Sequence, residues 1–93
     1  MAQSKPKVSE VVLPRKWATA QGIRAVLAER IRFSTALDGQ CRQCPPPTPV
    51  PIAPLDSTGC NWTVLALPRV SEACAPAVYE IIDAVKLEYN LAP

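Results

Sequence analysis

Four cysteines, Cys41, Cys44, Cys60 and Cys74, carry the most specific chemistry in this 93-residue chain, and no histidine accompanies them. Cys41-Arg42-Gln43-Cys44 spaces two thiols as one zinc ion requires, and Cys60 and Cys74 bring the set to the four ligands of a closed tetrahedral site. The spacing is not that of a zinc ribbon, because thirteen residues separate Cys60 from Cys74 where a second tight pair belongs. The competing reading makes Cys60 and Cys74 small buried apolar residues at the starts of a strand and a helix, with Cys41 and Cys44 as loop thiols.

Two redox chemistries fail on local sequence. A thioredoxin-like site continues as a helix through its second cysteine, which Pro45-Pro46-Pro47 forbids, and covalent haem attachment needs a histidine where Pro45 stands. Four cysteines also allow three disulfide pairings, among which the sequence does not choose.

Other chemistry is sparse. Without histidine there is no Ser-His-Asp or Cys-His set and no imidazole base. Glu80 and Asp83 lie one turn apart on a helix, the only foothold for a carboxylate mechanism, but with Lys86 nearby they read as a solvated face. No glycine-rich phosphate loop occurs, and the chain has three glycines in all. The expectation is a non-catalytic protein.

Compartment follows from what the N-terminus lacks. Met1 to Glu10 carries lysines but no apolar segment behind them, and no apolar run approaches the roughly 20 residues of a membrane span. A cytoplasmic protein without a membrane partner is expected, and in a reducing cytoplasm cysteines serve as free thiols or metal ligands more often than as disulfides. Asn61-Trp62-Thr63 matches a glycosylation acceptor, which carries no weight without secretion.

The elements that must position these residues can be read from periodicity. Residues 1–7 read as a flexible polar tail, and 8–93 as a single small α/β domain with a proline-rich connector at 45–54. Val8 to Leu13 is a β-branched run closed by Pro14, a first strand. Ile23, Val26, Leu27 and Ile31 then recur at spacings of three and four, predicting a helix over 19–37 with Thr19 as N-cap and Gly39 beyond its C-terminus. Six of the eleven prolines fall in 45–54, a strap of extended polyproline character. Pro46-x-x-Pro49 and Pro51-x-x-Pro54 match polyproline ligands, but no basic residue stands at position 43 to orient one, so a connector is the better reading.

Cys60 to Leu67 is apolar on both faces and predicts a strand covered on two sides, stopped by Pro68. The last helix should begin near Cys74, with Pro76 in its first turn, and run to about Asn90 on a stripe of Ala77, Val78, Ile81, Ile82, Val85 and Tyr89. The order is strand, helix, strap, strand, helix: an α+β fold with a two- or three-stranded sheet on two helices. Two strands alone are too few, so a third must come from the strap or from another chain.

Charge is polarised beneath a net value of +2. Residues 1–44 hold eight basic and three acidic side chains, and residues 45–93 hold two basic and five acidic, so the halves carry +5 and −3. The halves can attract each other on folding, or the first half can meet an anionic partner. The preferred reading is a protein-binding domain, an adaptor or inhibitor, whose interface joins an open strand edge to the basic residues Arg15, Lys16, Arg24 and Arg32, with Trp17 as anchor; a second copy of the chain is one candidate partner. The alternative is a nucleic-acid-binding module stabilised by zinc on Cys41, Cys44, Cys60 and Cys74, with Arg15, Lys16, Arg24, Arg30 and Arg32 contacting phosphates.

Overall fold

Thr19 opens the best-specified element of the protein: its hydroxyl accepts from the Gly22 amide at 3.0 Å, and helix α1 runs Ala20–Arg32 behind it. The computed structural model describes residues 15–34, 39–67 and 69–93. The tail at 1–7 and the strand expected at Val8 to Leu13 lie outside them.

Strand β1, Lys16–Ala18, precedes α1; a 3-10 turn at Cys41–Gln43 follows it. Strand β2 is Val50–Pro51, β3 is Trp62–Thr63, helix α2 is Ala75–Glu88 and β4 is Tyr89–Leu91. Among the described residues the result is a mixed α/β fold of two helices with two small two-stranded sheets, β1 parallel to β4 and β2 antiparallel to β3. Helix α2 starts as its sequence demands, with Cys74 as N-cap and Pro76 in the first turn, where its missing N–H costs nothing.

Three expectations need correction. Helix α1 ends at Arg32, five residues short of position 37, and Gly39 lies well beyond its end. The apolar stripe finishes at Ile31, Phe33 is 68% exposed, and the Ser34 carbonyl is taken by Arg42 Nε at 2.9 Å. The strand at 60–67 shrinks to Trp62–Thr63, because among the described residues only Val50–Pro51 pairs with it and Leu65 stands 81% exposed. Helix α2 stops at Glu88, and Tyr89, with φ −133° and ψ 145°, turns the chain into β4.

The core is one layer between the helices and the loop strands. Ile23, Leu27 and Ile31 from α1 meet Val78, Ile82 and Val85 from α2, with Trp62, Cys41, Cys60 and Cys74 completing the cluster. Trp62 is fully buried, and its indole N–H donates to the Tyr89 carbonyl at 2.9 Å, so its polar atom is satisfied. Among the described residues no helix is long and apolar enough to cross a membrane.

Candidate functional site: an arginine-rimmed trough along the first helix

The cysteines come first, because the structure divides them. Cys41, on the 3-10 turn, forms a disulfide with Cys74 at the head of α2, with Cα atoms 5.5 Å apart. Cys60 is fully buried; its thiol donates to the Trp62 carbonyl at 3.4 Å, and burial pushes its pKa up. Cys44 is a half-buried thiol beside the strap. The expected four-thiolate zinc site is therefore replaced by a covalent bond between two of its members. Among the described residues no group of three or more Cys, Asp or Glu side chains is placed to hold a metal ion.

The five residues expected at a partner interface are also divided. Arg15 is spent inside the fold: its Nε donates to the Lys86 carbonyl at 3.0 Å, and its Nη2 to the Thr58 carbonyl and hydroxyl at 2.6 and 3.1 Å. Gly59 makes room for it. With φ at +86°, that glycine holds a left-handed conformation, and a Cβ there would stand 3.1 Å from Arg15 Nη1. Lys16 lies over the Tyr89 ring, 5.7 Å from its centre, and Trp17 is 63% exposed. Among the described residues β1 pairs only with β4.

Arg24 and Arg32 border neighbouring depressions on α1. They project from the exposed side of α1 two turns apart, and three adjoining depressions run between them along the helix. The first, about 290 Å³, lies between Arg24, the wall Pro45-Pro46-Pro47, and Leu67, Arg69 and Val70. The second, about 320 Å³, shares Pro45 and Pro46 with it and adds Ala28, Arg32, Arg42 and Cys44. The third, about 430 Å³, shares Ala28 and Arg32 and ends at Phe33. Shared walls make these a single trough, floored by small and aliphatic side chains.

Its rim is cationic. Arg24, Arg32, Arg42 and Arg69 border it against one carboxylate, Glu29. Among the described residues none of these four arginines is in an ion pair. Arg42 is fixed by its bond to Ser34, and the Arg32 guanidinium lies over the Phe33 ring, 5.7 Å from its centre. Arg30, one turn from the trough, is the contrast: it grips Glu88 with two hydrogen bonds of 2.7 Å, which raise its pKa and lower that of Glu88.

Arg42 and Arg69 escape sequence reasoning because one lies inside the Cys-x-x-Cys spacing and the other beyond a proline, at opposite ends of a long connection. The proline run was the available signal, since a stiff wall brings its two flanks against a single helix face. No protein-family model, no curated protein and no solved structure matches this chain.

Proposed function

We propose that the protein is a non-catalytic protein-binding domain whose interface is the trough between α1 and the proline strap, and that it takes an acidic segment with apolar side chains. The observation that carries the reading is the set Arg24, Arg32, Arg42 and Arg69, none in an ion pair among the described residues, around an apolar floor. Arg42, held by the Ser34 carbonyl, and Arg32, over the Phe33 ring, lose less freedom on binding carboxylates, and all four guanidinium groups offer forked donors that match carboxylate geometry. Apolar side chains of the partner fill the floor beside Ala28, Leu67 and Val70.

Nucleic acid is the weaker occupant. Single strands are held by stacking bases on aromatic platforms, and Phe33 is the only aromatic residue lining the trough, at one end. The zinc that would have stabilised such a module has lost two of its four proposed ligands to the Cys41–Cys74 disulfide. That disulfide also weighs against the reducing cytoplasm expected from the sequence, since such bonds persist in oxidising surroundings.

Selection from a random peptide display library on the immobilised chain tests the reading. The retained peptides should carry net negative charge with interspersed apolar residues, and R24E/R32E should weaken them by at least about tenfold. Peptides without charge bias, or an oligonucleotide that competes for the trough more strongly than any selected peptide, would sink it.

A further inference from the structure

Cys44 is a half-buried free thiol at the end of the 3-10 turn that carries Cys41. Its amide donates to the Cys41 carbonyl at 3.2 Å, closing the 3-10 turn that carries Cys41. Residues three apart in such a turn eclipse one another, and a closed turn brings their Cα atoms within the separation that a disulfide spans. Cys41, meanwhile, is already bonded to Cys74. A thiol and a disulfide therefore share one short turn, while Cys60 is fully buried elsewhere in the core.

From this juxtaposition we infer that Cys41, Cys44 and Cys74 form a thiol–disulfide exchange centre, in which Cys44 is the attacking thiol and Cys74 the leaving one. The Cys44 thiol gives up its proton and its sulfur attacks Cys41 Sγ. The Cys41–Cys74 bond breaks, a Cys41–Cys44 bond forms, and the departing Cys74 thiolate takes up a proton. One disulfide and one thiol stand on each side, so no external oxidant or reductant is consumed. The leaving sulfur belongs to Cys74, the N-cap of the fourteen-residue helix α2, at the positive end of the helix dipole.

The two forms differ in what is tied together. With Cys41–Cys74 closed, the 3-10 turn is bound to the head of α2, 33 residues along the chain. With Cys41–Cys44 closed, α2 is released from the turn and the Cys44 sulfur is withdrawn from the trough wall it lines beside Arg32 and Arg42. The exchange stands whatever occupies the trough; only its effect on binding rests on the proposed function.

Peptide mapping reads the exchange directly, because trypsin cuts after Arg42, between the two cysteines. Cys41 then lies in peptide 33–42, Cys44 in 43–69 and Cys74 in 70–86. The full chain, folded and free of added thiol, is held at pH 8, alkylated without denaturant, quenched in acid and digested. The expected result is a second linkage, 33–42 to 43–69 through Cys44, beside the 33–42 to 70–86 linkage, with alkylated Cys74 in matching amount. In C44S, labelling of Cys74 should fall by at least about tenfold, since the attacking sulfur is gone. Three outcomes overturn the inference: a lone 33–42 to 70–86 linkage after prolonged incubation, equal Cys74 labelling in wild type and C44S, or a purified chain with all four cysteines reduced.

Discussion

The carboxamide of Asn61 accepts from the Leu91 amide at 2.7 Å and donates to the Leu91 carbonyl at 3.0 Å, the pair of bonds an adjacent strand would make. Asn90 answers from the other side: its side chain accepts from the Asn61 amide and donates to the Gly59 carbonyl, both at 3.3 Å. Asn61 thus pairs with a β4 backbone position that β1 does not take, and Asn90 ties β4 back to the chain at Gly59 and Asn61. N61A would strand two backbone groups at once, and urea unfolding should show a loss of about 2 kcal/mol, with N90A costing somewhat less. Asp56 is the other residue whose loss should register. Its carboxylate accepts from the Thr58 hydroxyl at 2.6 Å, and from the Thr58 and Cys60 amides at 2.8 and 3.0 Å, with Lys86 3.4 Å away. The Thr58 hydroxyl chiefly, then these amides and Lys86, hold it well below the usual carboxylate range. A lowered native pKa stabilises the fold above the unfolded-state value of about 4, and that contribution is lost as pH falls further. Stability measured from pH 7 down should therefore drop below about pH 4; D56N should flatten much of that fall and cost about 1 kcal/mol at neutral pH. Glu88, lowered by Arg30, keeps a residual slope.

At the level of elements, the helices and a strand through Trp62 were legible, with the strap as a candidate strand, while β1 and β4 were not, for a physical reason. Both helices repeat an apolar stripe over three or more turns and carry local start signals, Thr19 and Pro76, that need no distant partner. Lys16-Trp17-Ala18 and Tyr89-Asn90-Leu91 are too short to show alternation, and each is a strand because the other lies beside it. Tyr89 even continues the α2 stripe. Its carbonyl, however, takes the Trp62 indole N–H, and Leu91 is held by Asn61, so long-range bonds override the helical pattern. The strap follows the same rule: Val50–Pro51 becomes a strand because Trp62–Thr63 pairs with it, and the Ile52 amide donates to the Asn61 carbonyl at 3.0 Å. The staple between elements is the Cys41–Cys74 bond. Closing a loop across a separation of 33 residues removes unfolded-state entropy equivalent to about 3–4 kcal/mol. That is a large share of what so small a core retains, so the doubly substituted C41A/C74A should lose most of its resistance to denaturant. The Arg30–Glu88 pair, with side chains 37% and 43% exposed, should show a coupling below about 1 kcal/mol in a double-mutant cycle despite its bidentate geometry.

Over the whole molecule the charge asymmetry resolves into two uses. Part of it is internal, since Arg30 of the basic half pairs with Glu88 of the acidic half, and Arg15 is absorbed by the carbonyls of Lys86 and Thr58. Among the described residues Arg24, Arg32 and Arg42 from the first half face outward, joined by Arg69 from the second. Sequence alone separates these poorly, because an arginine that feeds a turn and one that borders a trough look alike until the fold brings Gly59 or Pro45 beside them. The outward set makes a prediction that belongs to no single residue. Charges on an exposed rim act mainly on the approach of a partner, and their field is screened over about 10 Å at 0.1 M salt and about 3 Å at 1 M. Association of a selected acidic peptide should therefore slow as salt rises, and R24E/R32E should reduce the association rate by roughly tenfold at low ionic strength. The wild-type and reversed-charge rates should converge toward 1 M salt if steering is the cause. A deficit of the same size at every salt concentration would place the effect in lost contacts within the trough, and the arginines would then act as anchors in the bound state instead of guides toward it.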